Sequence, residues 1–575
     1  MQMTSDRPPT ADLWLWLVLA LGLAVRLVGV SEPLVDRQAW RQTDTAAIAR
    51  NYYEEGFDLL HPRIDWRGTT PGYVETNFPL YPFLVACVYA VLGGVYEWVG
   101  RLLSSLFSTL TAPLLYCLVR RLYPRRPWTA RLAAFLFLAM PLSVYFGRAF
   151  MPEALMILLS VASLLTFLRW IERPRTAAFL LAVLASSLCF LVKIPTLYIG
   201  FPLVALAWWW WGGWRFLAQP GLWGFAILVL APSAWWYYHA AGLFEQTGLT
   251  FGIWNRHGYD KWSHELLLEA DFYLEIGARF IHRVFTPVGA VLIVGGLVRA
   301  WPSWGSNGAM LGQPSPRRGA PEWMPYVWLG GLALYVLLVP EGNRMLHYYQ
   351  LPFVPVGALF AALWLGSLLD GKLKFACGER PKSPEQAIWP RCLVVSLILV
   401  AVGGYGAWSA ADYYRPGNNV YKYYRTSWEA GRLLDRKIPT DALLVIGDYD
   451  RNTDTSFRSQ SPTLLYYCHR KGWQITKDEI RAPVLDSLAA LGADYFVAAN
   501  GLIGNDAVLW RDLQSRGLTY PSAFPRFWKD RSRFMNSVRN HSGGDRHFVI
   551  VPLSAAGAPS SAGDEVSAPT RLSKP

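Results

Sequence analysis

Apolar runs about as long as a bilayer is thick recur along the chain, separated by short polar loops. They fall near residues 12–30, 102–119, 131–147, 153–170, 177–193, 196–212, 221–237, 286–300, 324–340, 350–368 and 392–410. This predicts a polytopic helical membrane protein of about eleven spans. Arg26 interrupts the first run, which reads as a retained span rather than a cleaved signal. A further run, PLYPFLVACVYAVLGGVYEWVG (79–100), carries Pro79, Pro82 and Gly93–Gly94, which suit a juxtamembrane segment better than a straight span.

After about residue 412 the pattern changes. SWEAGRLLDRKIP (427–439) has helical spacing and ALLVIG (442–447) reads as a buried strand. PTLLYYCHRKGW (462–473) reads as a helix, APVLDSLAALGADYFVAA (482–499) as a helix turning at Gly492 into a strand, and HFVIVPL (547–553) as another strand. The domains expected are a transmembrane domain over 1–411, a small α/β domain over 412–553 and a disordered tail over 554–575. The α/β domain shows no catalytic motif, so packing or acceptor docking is its expected role.

Charge sets the orientation. The loop RRLYPRRPWTAR (120–131) holds five arginines and no acid. The loops around Arg169, Arg173 and Arg175, around Arg215, around Arg317 and Arg318, and over 371–391 are also basic. The positive-inside rule makes these cytoplasmic. An odd span count then puts the loops 31–101, 148–153, 238–285 and 341–349 outside, with everything after residue 411. The net charge of +13 is thus accounted for by loop bias rather than nucleic-acid binding. Cys87, Cys117, Cys189, Cys377, Cys392 and Cys468 show no CxxC spacing and indicate neither a disulfide framework nor a thiolate metal site.

Candidate chemistry gathers in the outer loops. In DRQAWRQTDTAAIARNYYEEG (36–56), Thr43 or Asp44 is expected to cap a helix running to Glu55 and ended by Gly56, beside Asp36, Arg37, Trp40 and Arg41. Asp36 is the expected partner of Arg37 or Arg41. Glu75 and Tyr81 precede or open the juxtamembrane segment, and Arg148 and Glu153 stand at the lip of two spans. Lys193, Arg344, His347 and Tyr348 form a late cluster suited to a phosphate group. Acids for proton transfer and cations for phosphate on one face suit displacement of a lipid-phosphate leaving group.

The order of DTAAIARN, FPLYPFLVA, R-x-x-x-P-E and HYYQLPFVP resembles the GT-C superfamily of polyprenyl-phosphate-dependent membrane glycosyltransferases, nearest the family-39 type. That type includes the protein mannosyltransferases and lipid A aminoarabinose transferases. The resemblance covers roughly residues 12–410 and is best over 36–156. It implies an inverting transferase that takes a sugar from a polyprenyl-phosphate donor to a protein, lipid or glycan acceptor at the outer face of a bacterial inner membrane. It implies Asp44 as catalytic base, with Thr45 where relatives carry a second acid, Glu153 as the second-loop acid, and Glu75 near the start of the FPLYP segment. Arg148, Lys193, Arg344, His347 and Tyr348 would bind the donor phosphate, and Asp36, Trp40, Arg41 and Tyr81 would position substrate. Asn77 and Phe78 stand where relatives carry a phosphate-binding lysine. No cofactor is required by the pattern; a divalent metal would fall to Asp44 and Glu153, although no ligand spacing demands one. Transfer of a whole lipid-linked glycan is the alternative reaction. A transporter or flippase is disfavoured by the lack of internal repeats and of charges at mid-membrane.

Overall fold

A computed structural model describes residues 12–253, 263–299, 321–370, 384–414, 419–447, 462–499, 503, 506–519 and 548–553. The tail over 554–575, the loop at Arg317 and Arg318, and Cys377 lie outside the described residues.

The chain forms two compact units. The first runs to Ile64 and from Thr70 to Tyr424, and is helical. Its elements are α1 (Leu13–Leu27), α2 (Ala39–Glu55), α3 (Leu80–Leu92), α4 (Glu97–Leu122), α5 (Pro127–Ala139), α6 (Pro141–Phe146), α7 (Glu153–Glu172) and α8 (Thr176–Val192). There follow α9 (Gly200–Trp210), α10 (Pro220–Thr247), α11 (Ala270–Arg279), α12 (Pro287–Arg299), α13 (Met324–Leu338), α14 (Pro340–Met345), α15 (Phe353–Leu369) and α16 (Pro384–Tyr414). Among the described residues three helices are long and apolar enough to cross a membrane: Glu97–Leu122, Glu153–Glu172 and Trp389–Tyr414. The pair Ala270–Val284 and Pro287–Arg299, bent by 105°, passes the same test together, and seven further apolar helices are shorter.

One apolar run differs from its expected form. The run at 131–147 is broken: Met140 is extended before Pro141, so α5 stops at Ala139 and α6 begins anew. A proline has no N–H to continue the ladder and pushes the preceding residue out of the helical region. Arg26, buried in α1, supplies donors at the break. It donates to Leu138 O at 3.2 Å, Ser143 O at 3.1 Å and Ser143 Oγ at 2.8 Å, and to Ser108 Oγ of α4 at 2.9 Å. The charge that seemed to interrupt the first span is its tie to three other helices. The run at 79–100 is one 13-residue helix and the start of the next. Gly93 adopts a left-handed conformation and donates to Tyr89 O, closing α3 well short of the roughly 20 residues a span needs.

The second unit comprises Asp65–Thr69 and the described residues from Arg425 on. It contains most of α17 (Asn419–Lys437), with α18 (Thr463–Cys468), α19 (Ala482–Ala490) and α20 (Ala507–Ser515) around a four-stranded sheet. The strands are β1 (Leu443–Gly447), β2 (Lys471–Ile475), β3 (Tyr495–Ala499) and β4 (Phe548–Pro552), in the order β2-β1-β3-β4. β1 runs parallel to β2 and β3, and β4 is antiparallel to β3. Leu444, Val445, Phe496, Val497, Val549 and Val551 are buried, as strands covered on both faces require. Buried Arg470 donates to Ile438 O at 2.5 Å and Pro439 O at 2.7 Å, satisfying carbonyls beyond the end of α17. The helix expected over 462–473 is only α18. His469, left-handed at φ 52°, ends it, and Lys471 begins a strand.

Candidate active site

The loop after α1 enters α2 earlier than its sequence suggests. Gln38 takes a left-handed conformation and Ala39 starts the helix, so Asp44 lies in the second turn and caps nothing. Thr43 is no cap either; its Oγ1 donates back to Ala39 O at 2.9 Å. Gly56 ends the helix as expected. Asp44 is buried, three residues after Arg41, so the two share a helix face.

Asp36 is the hub of this loop, and its partners are not Arg37 or Arg41. Its Oδ2 lies 2.5 Å from Nη2 of Arg148 and 3.1 Å from Nη2 of Arg101, and its Oδ1 accepts from Gln42 Nε2 at 2.5 Å. Arg101 also donates to the carbonyls of Gly29, Glu32 and Pro33, and Arg148 to those of Val28 and Gly29. The Arg148 guanidinium stacks 4.1 Å from the Tyr414 ring centroid. Gln42 Oε1 accepts from Phe150 N at 3.0 Å. All three charged side chains are buried. Arg148 is therefore committed to a carboxylate and to the loop backbone. Arg101 was not singled out in the sequence, although an arginine in the first turns of a long apolar helix asks for a partner.

Glu153 and Lys193 come together: Nζ lies 2.6 Å from Glu153 Oε1, with both side chains buried. Lys193 Nζ stands 4.6 Å from the Tyr348 ring centroid and 5.1 Å from that of Tyr349. Burial pushes the Tyr349 phenol up to about 12, with Arg41 opposing and Glu153 adding to the rise. Arg41, Glu153 and Tyr349 thus share one electrostatic neighbourhood.

Glu75 is buried, and Thr250 Oγ1 donates to its Oε2. Its backbone pairs with the strand-like segment after α10, through Glu75 N to Leu249 O at 2.9 Å and Phe251 N to Glu75 O at 3.0 Å. The Arg41 guanidinium lies 4.6 Å from the Phe251 ring centroid. Trp40 Nε1 donates to Gln38 Oε1 at 2.9 Å. Tyr81 does not project toward a ligand. It is fully buried, and its hydroxyl meets Gly100 O and Ser104 Oγ, both at 2.7 Å, locking α3 onto α4.

The late cluster divides. Arg344 is part-exposed and faces two carboxylates, Glu275 at 3.4 Å and Glu269 at 4.0 Å. His347 Nε2 lies 3.1 Å from Arg37 Nη2, and its Nδ1 2.6 Å from Tyr413 Oη. Arginine can only donate, so Nε2 accepts and Nδ1 carries the proton. Burial, then Arg37, Arg279 and Arg283, hold the imidazole well below its ordinary 6.5. A neutral imidazole supplies no cation for a phosphate, which corrects the expectation for His347. Arg37 and Arg41, by contrast, make no ion pair with a carboxylate among the described residues. Arg37 spends its guanidinium on His347 and on the Tyr413 ring, 4.9 Å away. The sequence presented Arg37 only as an ion-pair partner.

The metal set suggested for Asp44 and Glu153 fits poorly. Among the described residues no three His, Cys, Asp or Glu side chains cluster as ligands, and Lys193 holds one oxygen of Glu153.

The family model described as dolichyl-phosphate-mannose-protein mannosyltransferase matches residues 75–238. No curated protein sequence matches the chain. Among solved structures, ArnT from Cupriavidus metallidurans bound to undecaprenyl phosphate is similar over 96% of this chain and 99% of its own, at 15% identity and TM-score 0.57. The archaeal oligosaccharyltransferase AglB from Archaeoglobus fulgidus, in complex with an inhibitory peptide and a dolichol-phosphate, matches over 86% of this chain and 70% of its own, at 14% identity and TM-score 0.52. The chain shares the fold of ArnT and AglB.

Proposed function

We propose that the protein is an inverting glycosyltransferase that takes a sugar from a polyprenyl-phosphate donor at the outer face of a bacterial inner membrane. The observation that carries this reading is the state of the outer-loop cations. Arg148, Lys193 and Arg344 each face a carboxylate, whereas among the described residues Arg37 and Arg41 do not, and both flank the start of the helix that carries buried Asp44.

In this reading Arg41, helped by Arg37, stabilises the charge growing on the leaving phosphate. Asp44 takes the proton from an acceptor hydroxyl or amine as it attacks the anomeric carbon. The new bond forms to the acceptor atom, the bond from anomeric carbon to phosphate oxygen breaks, and its electron pair leaves with the phosphate. Attack opposite the leaving group inverts the centre through an oxocarbenium-like state, the kind met in glycoside hydrolysis. Asp36, Arg101 and Arg148 hold the loop that presents these groups.

The test is lipid analysis of a deletion strain carrying Asp44→Asn. A polyprenyl-phosphate-linked sugar should accumulate there and be consumed when the wild-type chain is restored. A lipid pool in the Asp44→Asn strain equal to wild type would refute the assignment.

A further inference from the structure

Glu153 has an oxygen that the protein leaves unused. Its side chain is 1% exposed, Oε1 pairs with Lys193 Nζ at 2.6 Å, and Oε2 meets no hydrogen-bond partner. Leaving a buried carboxylate oxygen without a donor is costly, so such an atom in a folded protein asks for an explanation. The start of α7, where Glu153 sits, does not supply one, because no backbone N–H reaches Oε2. Lys193 cannot supply it without giving up Oε1. Its ammonium is also bounded by the faces of Tyr348 and Tyr349, 4.6 and 5.1 Å from the ring centroids. Beside the pair stand one unsatisfied acceptor oxygen and two aromatic rings, those of Tyr348 and Tyr349.

Resting on the proposed donor, we infer that Glu153 is a sugar-binding residue, its Oε2 accepting a hydrogen bond from a hydroxyl or ammonium group on the ring of the lipid-linked sugar. Lys193 and the two tyrosines hold the carboxylate in place for that contact. The pair then serves recognition of the sugar, and phosphate binding is left to Arg37 and Arg41. A site built around a buried acceptor discriminates strongly, because a ligand lacking the matching donor leaves the acceptor unpaired. A hydrogen bond to a charged group corresponds to about ten- to a hundredfold in affinity.

The experiment uses the full chain in lipid nanodiscs with three probes: undecaprenyl phosphate, undecaprenyl phosphate mannose and undecaprenyl phosphate 4-amino-4-deoxyarabinose. The wild-type chain should bind at least one sugar-bearing lipid more tightly than the bare lipid. Glu153→Gln, which places an amide donor where the acceptor stood, should remove that increment by about tenfold or more. Binding of bare undecaprenyl phosphate should change less than about twofold. Glu153→Gln/Lys193→Met removes both charges together, so its melting temperature separates misfolding from lost recognition. It should bind the bare lipid normally and still fail to favour the sugar. Equal loss of bare and sugar-bearing lipid overturns the inference, because Glu153 would then serve the phosphate or the fold. An increment that survives in Glu153→Gln overturns it as well. No increment in the wild-type chain overturns the proposed donor and this inference with it.

Discussion

Asp36 and Arg148, 112 positions apart in sequence, are joined by a 2.5 Å contact between Oδ2 and Nη2, with Arg101 closing on the same oxygen at 3.1 Å. One buried carboxylate thus sits between two buried guanidiniums that also hold the carbonyls of the 28–33 turn. Removing it leaves two like charges facing each other without water, and breaking a buried pair this way costs about 3–5 kcal/mol. Asp36→Ala should therefore melt far below wild type in detergent, before any question of chemistry arises. A melting temperature within a degree or so of wild type would show that the hub does not hold the loop.

The sequence and the structure part company where long-range pairing decides. Apolar runs such as 153–170 and 392–410 are visible because a span must be apolar throughout, and the strands at 443–447 and 548–552 because they are short, β-branched and buried. The break at Pro141 and the stop at Gly93 are written in their residue types, yet both lie inside apolar runs that mask them. Asp44 looked like a cap because a left-handed Gln38 has no sequence signature. Which arginine meets which acid is not legible at all. Lys193 finds Glu153 across 40 positions and Arg37 finds His347 across 310. Only the presence of Arg148 at the lip of two apolar runs hinted that an acid would be found for it.

The division of labour among the cations predicts unequal mutants. Arg41→Gln removes a guanidinium that faces no carboxylate among the described residues, three residues before Asp44. Losing one stabiliser of a developing anion costs about 10²–10³ in rate. The expected result is a fall of that order in kcat, with the melting temperature preserved. Arg344→Gln removes a charge already shared by Glu269 and Glu275 and should change kcat less than about threefold. Steady-state transfer assays on the two purified variants decide the matter, and equal losses would overturn the assignment.

His347 predicts a pH dependence of stability. Its folded-state value lies well below 6.5, from burial and three neighbouring arginines, so the fold binds the neutral ring. Above 6.5 neither state takes the proton and the stability is fully present. As pH falls through 6.5 the unfolded chain gains a proton that the folded chain refuses, and stability declines. His347→Gln keeps an acceptor for Arg37 and a donor for Tyr413 without a titrating group. Melting temperatures between about pH 7.5 and pH 5.5 should fall more steeply for wild type than for the variant. Parallel curves would show that His347 is not the group responsible.

In the second unit, Asp65–Thr69 covers the open edge of β2, one of the two edge strands of the sheet. Gly472 N donates to Asp65 O at 3.0 Å, Gly68 N donates to Gly472 O at 2.7 Å, and Lys471 Nζ lies 2.6 Å from buried Asp65 Oδ1. An uncovered edge strand presents unpaired amides to other chains, so this strap is a protective device as well as a contact. It depends on Gly68, whose φ of +56° disfavours a side chain and whose missing Cβ makes room for the Trp473 indole. Gly68→Ala would meet that indole and carry about 1–3 kcal/mol of backbone strain. The strap should therefore lift while the sheet remains. Hydrogen exchange should speed up at Gly68 and Gly472 and stay slow in β1 and β3, whose ladders do not involve the strap. Unchanged protection at Gly472 would mean that the edge is held by something other than these five residues.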